Sequence, residues 1–220
     1  MKTKNLCGIL MLFSFLVSCT EQQCIIHGTT TGVKDGDYMY ITEYLDNTYL
    51  DSAVVMNGKF TFKLSKASEE DFLPKVIVPA VGNEPSVACV FTQDSEVKYI
   101  RDSQNHIFDI YGSPYNDLFR IENMRTDSIS HVLGHLDNLR LKDSTLTQEQ
   151  KDSITLEMNE LIKEDSILNI QRIERNIDNL VGAYYLYINR HSLNKETFQK
   201  LFERLPKKFA SSKHFDDVRK

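Results

Sequence analysis

Residues 54–64 read VVMNGKFTFKL, and this stretch decides how the first half of the chain folds. The pair Asn57-Gly58 favours a two-residue type I′ turn, because both turn positions need a positive φ that Asn and Gly adopt readily. After the turn, apolar and polar residues alternate, so Phe60 and Phe62 face a core while Lys63 faces water. The stretch therefore predicts a β-hairpin.

Similar signals extend from this hairpin in both directions. Residues 34–37 read KDGD, a second turn signal, and the alternating residues 37–42 follow it. Further strands are predicted at residues 75–78, 86–91, 96–100 and 106–111. Seven or eight short antiparallel strands at this spacing predict a β-sandwich or a partly open barrel over residues 24–112.

The pattern changes after Gly112, where a helical region, residues 113–220, is predicted. Ser113 is placed as the N-cap of a first helix, with Pro114 at its first position. Residues 147–150 read TQEQ, a capping-box pattern that begins a second helix running to about Ile177. Two long helices joined by a short loop predict an antiparallel hairpin, and the whole chain is placed in the α+β class.

Two shorter helices are predicted beyond the hairpin. Residues 180–188 are apolar on most faces, which predicts a buried helix. The last helix has Asn194 as its N-cap, Leu193 and Phe198 as a hydrophobic staple, and Pro206 as its stop.

The amino terminus has the pattern of an export signal. A short basic start is followed by the apolar residues 6–17, too few to span a bilayer, so residues 1–18 are predicted to be a signal peptide. Residues 16–19 read LVSC and resemble the bacterial lipobox, whose cysteine is acylated before cleavage. This predicts lipidation of Cys19, a tether over residues 19–23 and attachment to a membrane. The alternative is an ordinary secretory signal in which Cys19 is incidental.

The composition limits the partners of the mature chain. The sequence has 26 basic and 31 acidic residues, and removal of Lys2 and Lys4 with the signal leaves 24 against 31, a net charge of −7. Such a chain is poorly suited to nucleic acid, whose phosphates are neutralised by clustered Lys and Arg. Besides Cys7 in the signal and Cys19, the sequence has Cys24 and Cys89, which could form a disulfide in an oxidising compartment or remain two separate small core residues.

Several stretches together resemble a known domain. Residues 50–55 (LDSAVV), 57–62 (NGKFTF) and 112–116 (GSPYN) are similar to a lipoprotein domain of unknown function that is common in Bacteroidota. That domain usually precedes a thioredoxin-like domain of the TlpA/ResA disulfide-reductase type, and residues 183–187 and 192–209 resemble the helical linker of those proteins. The resemblance implies the cell envelope, and Thr20 in place of aspartate favours the outer membrane, with the side it faces left open.

The same resemblance supplies no catalytic residue. Redox chemistry in those proteins depends on a Cys-x-x-Cys pair in the domain after the helices, and no such pair occurs before Lys220. Cys24 and Cys89 are 65 positions apart and belong to no such motif.

Other candidate sites are explained more simply by structure. His131 and His135 could meet one metal ion across a helical turn, but two ligands are too few for a closed site and both lie off the apolar face. The Asp35-Gly36-Asp37 stretch lacks the rest of a calcium loop and is interpreted as a turn. No nucleophile elbow, P-loop or dinucleotide fingerprint is present, so neither a catalytic residue nor a cofactor or metal site is predicted.

Tyrosines are the remaining functional lead. They occur at positions 38, 40, 44 and 49 and again at 184, 185 and 187. Tyrosine can form a binding face for a protein or a glycan, although such residues more often pack in a core. The sequence thus favours a non-enzymatic, lipid-anchored envelope module that binds a partner protein or ligand. The alternative is an accessory of a thiol-disulfide oxidoreductase pathway that lacks its thioredoxin domain.

Overall fold

The computed structural model describes residues 22–80, 88–104 and 107–219. Eight strands come first: β1 (Gln23–Thr31), β2 (Tyr38–Glu43), β3 (Tyr49–Val54), β4 (Lys59–Ser65), β5 (Lys75–Pro79), β6 (Ala88–Val90), β7 (Glu96–Asp102) and β8 (Ile107–Tyr111). Five helices follow: α1 (Pro114–Lys142), α2 (Gln148–Arg175), α3 (Leu180–Ile188), α4 (Lys195–Arg204) and α5 (Lys207–Ala210), with a final 3-10 turn at Lys213–Phe215. The α+β class is confirmed.

The predicted turn is present, but the predicted hairpin is not, because β3 and β4 lie in different sheets and only Met56 and Lys59 form a bridge across the turn. Asn57 and Gly58 have φ values of 52° and 66°, as a type I′ turn requires. The N–H groups of Met56 and Lys59 each donate to the other residue's carbonyl, at 2.9 and 3.1 Å. The turn therefore carries the chain from one sheet to the other.

The strands form two four-stranded sheets, ordered β4-β1-β7-β8 and β3-β2-β5-β6, so the described strands make a sandwich and not a closed barrel. One expectation was wrong, because not all strands are antiparallel. β1 pairs antiparallel with β4 but parallel with β7. Between β1 and β7 the chain forms β4 of the first sheet and all four strands of the second sheet. β7 then lies beside β1 and runs in the same direction.

The sandwich core follows the alternation in sequence. Phe60 and Phe62 are buried at 4% and 0% exposure, while Thr61 and Lys63 are exposed. The Phe60 ring lies directly over Gly28, where an added Cβ would be 2.0 Å from the ring. Gly28 thus leaves room for an aromatic ring on its partner strand.

The two long helices are joined by a short loop and pack against each other. The capping box is confirmed, since the Gln150 N–H donates to Thr147 Oγ1 at 3.3 Å and the Thr147 N–H donates to Gln150 Oε1 at 2.8 Å. Ser113 occupies the N-cap of α1, but its side chain makes no capping bond, contrary to prediction. Its hydroxyl instead accepts a hydrogen bond from Asn116 Nδ2 at 2.8 Å.

A second hydrophobic core, here called the helical core, surrounds α3. All but the last residue of α3 are buried, as predicted, and Asn179 caps its first turn. Asn194 caps α4 by accepting from the Thr197 N–H at 2.8 Å. Phe72, Leu73 and Phe91 belong to the β half of the sequence but lie in the helical core. The helices are therefore packed against loops of the sandwich.

Candidate binding surface

The outer face of the second sheet carries a row of tyrosines, here called the tyrosine face: Tyr38 and Tyr40 on β2 and Tyr49 on β3. β2 alternates strictly at this point, so Met39 and Ile41 are buried while Tyr38 and Tyr40 point outward. The Tyr38 and Tyr40 rings are nearly parallel with centroids 6.2 Å apart, and Tyr49 meets Tyr40 edge-on at 5.2 Å.

Two of these rings are strongly exposed. Tyr38 is 43% exposed and Tyr49 is 69% exposed. Val54, which pairs with Tyr38 across the strands, is also exposed, and so is Met56 two residues further on. Contiguous exposed aromatic and aliphatic side chains are typical of interaction surfaces, whereas scattered ones are ordinary.

The other predicted tyrosines have a different role. Tyr44 packs edge-on against Tyr184 with ring centroids 5.7 Å apart, which joins the β2–β3 loop to α3. The Tyr185 hydroxyl donates to Asn123 Oδ1 at 2.8 Å, and the Arg172 guanidinium lies over the Tyr185 ring at 3.8 Å. Burial raises the pKa of the Tyr184 and Tyr185 phenols well above the ordinary value. These residues, with the buried Tyr187, belong to the helical core.

Cys24 and Cys89 do not form a disulfide. Cys24 lies on β1 in the first sheet and Cys89 on β6 in the second, and both are free thiols. Burial raises the pKa of each thiol to about 11, so both are protonated at neutral pH. Because the thiolate is the reactive form, neither residue is prepared for thiol-disulfide exchange.

The histidine and aspartate candidates are placed as the simpler interpretation predicted. His131 and His135 are exposed on α1. The Asp37 N–H donates to the Lys34 carbonyl at 3.0 Å and Gly36 has a φ of 91°, which makes this segment a turn. Among the described residues, no group of three or more His, Cys, Asp or Glu side chains is arranged to hold a metal ion.

A polar groove of about 640 Å³ lies where the sandwich meets the helical core, and sequence reasoning missed it. Two of its lining carboxylates, Glu43 and Asp71, accept hydrogen bonds from Lys75 at 2.9 and 3.1 Å. Burial alone would lower the pKa of Lys75, but these two carboxylates raise it overall. His214 lies 3.9 Å from Asp71, and burial lowers its pKa despite that carboxylate. Lys75 is therefore held charged by its ion pairs, which join β5 to β2 and to the segment before β5.

Comparison with known families adds one match. Residues 24–119 match the family model described as a domain of unknown function (DUF4369). The match covers the whole sandwich and the first residues of α1, and includes the tyrosine face. No curated protein and no solved structure matches the chain.

The predicted lipidation site, Cys19, lies outside the described residues, as does the signal sequence. No helix in residues 22–80, 88–104 and 107–219 has the length and apolar character to cross a membrane.

Proposed function

We propose that this chain is a lipid-anchored cell-envelope protein that binds a partner protein through its tyrosine face and catalyses no reaction. The observation that carries the proposal is the row of contacting rings on one sheet, in which the half-buried Tyr40 lies between the exposed Tyr38 and Tyr49. Tyrosine supplies a large contact area at little conformational cost, and its hydroxyl can exchange water for a hydrogen bond at an interface.

The neighbours of the tyrosines favour a protein over a glycan. Val54 and Met56 are aliphatic and exposed beside the rings, at 41% and 57%. Aliphatic side chains gain from contact with apolar protein side chains, whereas a sugar presents mainly hydroxyl groups that lose water when buried against them. The tyrosines alone would suit a glycan, but the exposed Val54 and Met56 beside them favour a protein.

Anchoring supports the same proposal. Lipidation of Cys19 would hold the sandwich at the outer membrane, and two or more acyl chains anchor a protein stably where one does not. A surface-held module meets membrane partners at high effective concentration, so an interface of modest area is sufficient.

Photo-crosslinking in intact envelopes tests the binding surface. A photoreactive residue at position 49 is expected to capture the same protein repeatedly, and capture should be lost in the Tyr38→Ser/Tyr40→Ser chain. The matched control places the probe at Thr61, an exposed residue on the first sheet. Equal capture from both positions, or polysaccharide binding that depends on these tyrosines without any protein capture, would overturn the proposal.

Mass spectrometry of the mature amino terminus tests the anchor. The first residue is expected to be a diacylglyceryl-modified Cys19, and Cys19→Ser should release the protein from membranes while Cys7→Ser should not. An unmodified terminus at any other residue would contradict the anchor.

The redox alternative has less support. Cys24 and Cys89 lie on different sheets, and burial holds the pKa of both at about 11. No observation in the described residues favours thiol exchange over structural packing for these two residues.

A further inference from the structure

Charge is distributed very unevenly along the mature chain. Residues 190–220 contain nine basic and four acidic residues, a net charge of +5. Residues 19–189 contain 15 basic and 27 acidic residues, a net charge of −12. The basic segment includes α4, α5 and the final 3-10 turn. Its arginines 190, 204 and 219 are ion-paired with Asp217, Glu174 and Asp216, so its unpaired charge is carried by lysines.

Among the described residues of this segment, five lysines are exposed. Two are on α4 (Lys195 and Lys200), and three follow it: Lys207 and Lys208 on α5 and Lys213 at the 3-10 turn. Lys208 forms an ion pair with Glu69 at 2.8 Å and Arg219 forms one with Asp216, while Lys207 and Lys213 have no salt bridge among the described residues. Lys208 and Lys213 also line the polar groove, together with the carboxylates of Glu43, Asp46, Glu70 and Asp71. We call Lys207, Lys208, Lys213 and Arg219 the basic end.

The basic end is close to the point where the tether enters the fold. Gln22 and Glu69 line one groove, and Glu69 is the partner of Lys208. The Lys66 N–H donates to the Gln22 carbonyl at 2.8 Å, which fixes Gln22 against the end of β4. From Cys19 to Gln23 is four residue steps, which span at most about 14 Å when fully extended. An acylated Cys19 would therefore keep this part of the protein near the lipid headgroups.

The helical hairpin points the other way. Arg120 on α1 lies 3.7 Å from Asp109 on β8, and the Gly112 N–H donates to the Asp117 carboxylate at 3.0 Å, so α1 runs antiparallel to β8. β8 is antiparallel to β7, and β7 is parallel to β1. α1 therefore leaves the tether end in the direction of β1, and its 29 residues span about 43 Å.

From these relationships we infer that the basic end is a membrane-facing surface that contacts anionic lipid headgroups, while the α1–α2 loop points away from the bilayer. The inference rests on the proposed lipid anchor. A cluster of lysines beside an acyl anchor is the combination that strengthens attachment to anionic membranes. It also orients the tyrosine face, because only one end of the molecule is turned to the lipid.

Fluorescence quenching on vesicles tests this orientation with the full lipidated chain. Single labels are placed at Ser211→Cys beside the basic end and at Ser144→Cys in the α1–α2 loop, both exposed. Vesicles of phosphatidylcholine with about one third phosphatidylglycerol carry a spin label on the headgroup. The label at residue 211 is expected to be quenched at least threefold more than the label at residue 144.

The charge requirement is tested by substitution. Lys207→Gln/Lys208→Gln/Lys213→Gln should reduce quenching at residue 211 at least twofold, because each basic side chain near an anionic surface contributes roughly fivefold to its association. The matched control, Lys142→Gln/Lys151→Gln/Lys163→Gln, removes the same charge from the hairpin and should leave quenching unchanged. Circular dichroism verifies that each variant is folded.

The outcomes separate this inference from the anchor itself. Equal quenching at residues 211 and 144, or no effect of the Lys207/Lys208/Lys213 substitutions, in a chain whose lipid is verified by mass spectrometry would overturn the membrane-facing surface and leave the anchor standing. A chain that carries no lipid would overturn the proposed anchor, because nothing would then hold residues 19–23 at the membrane.

Discussion

The side-chain amide of Asn116 forms two hydrogen bonds with the backbone of Phe91, as a residue on a neighbouring β-strand would. Asn116 Oδ1 accepts from the Phe91 N–H and Asn116 Nδ2 donates to the Phe91 carbonyl, both at 2.9 Å. Asn116 is 1% exposed, so water cannot replace either bond. The side chain of the third residue of α1 thereby continues the strand β6 and fastens the helix to the sandwich.

Removal of this side chain should destabilise the protein strongly. Asn116→Ala leaves a buried N–H and a buried carbonyl unpaired, at about 1–3 kcal/mol for each unsatisfied group. We expect a total loss of about 3 kcal/mol in the free energy of unfolding, measured by urea denaturation. Asn138→Ala, on the exposed side of the same helix, is the control and should change it by less than about 0.5 kcal/mol.

Glu122 should make stability depend on pH. It is 2% exposed and forms ion pairs with Arg125 and Arg175, both at 2.7 Å. Burial alone would raise its pKa, but hydrogen bonds from Arg175 and Asn176 and the nearby arginine charges lower it below the ordinary value. A lowered pKa in the folded state adds stability above the unfolded-state pKa, about 4.3, and this stability is lost as the pH falls through the folded-state value.

Glu122→Gln should therefore cost about 1–2 kcal/mol at pH 7, because it removes the charge that pairs with Arg125 and Arg175, while water can still solvate these two half-exposed arginines. The cost should shrink at pH values below about 4, where the wild-type carboxylate becomes protonated. Thermal denaturation between pH 3 and 7 measures both effects. Glu160→Gln on exposed α2 is the control, and a parallel pH profile for the two variants would refute the assignment.

Two helical glycines should respond to alanine in opposite directions. At Gly182 on α3, an added Cβ would be 1.9 Å from the Asn176 carbonyl oxygen, and backbone cannot move aside as a flexible side chain can. At Gly134 on α1, nothing lies within 4 Å. Gly134→Ala is expected to stabilise by about 0.5–1 kcal/mol, since alanine loses less backbone entropy in a helix.

Gly182→Ala is expected to destabilise by more than about 2 kcal/mol, because α3 must shift within the helical core. Chemical denaturation of the two single variants, compared with the parent chain, measures the contrast. Equal effects of the same sign would show that the close approach of α3 to Asn176 is not rigid.

The thiols should be slow to alkylate in the folded protein. With a pKa of about 11, Cys24 and Cys89 have about 100-fold less thiolate near neutral pH than an ordinary cysteine. Iodoacetamide labelling should be at least that much slower than for free cysteine, and should accelerate as the pH is raised towards 11. Labelling in urea supplies the fast reference, and rapid labelling of folded Cys89 would revive the redox alternative.

Local signals in the sequence predicted much of this fold. The Asn57-Gly58 turn and the Thr147–Gln150 capping box each depend on contacts between residues at most three apart, so their chemistry is visible in the sequence. The parallel pairing of β1 with β7 was not predictable in this way, because it joins Ile25 to Glu96 across some 70 residues. The role of Asn116 was not predictable for the same reason, because its hydrogen-bond partner, Phe91, is 25 residues away in the sequence.

The candidate surface was predicted only in part. Tyrosines 38, 40 and 44 are spaced similarly on β2 and the loop after it, but only structure separates the first two, which face solvent, from Tyr44, which packs against Tyr184. The burial of each tyrosine depends on whether a helix distant in sequence packs over it. The charge difference between residues 190–220 and residues 19–189 is visible in the sequence. That the basic end lies near Gln22 can be seen only in the fold.

The parallel pairing of β1 also constrains the order in which the sheet can assemble as the chain is synthesised. β1 is an interior strand of its sheet, with β4 on one side and β7 on the other. β1 is synthesised first among the strands, but it cannot complete its pairing until the chain has been made as far as Asp102. Pairing with β4 closes the shorter loop, whereas pairing with β7 closes a loop of some 70 residues, which is the slower step. One edge of β1 therefore stays unpaired until most of the sandwich has been made.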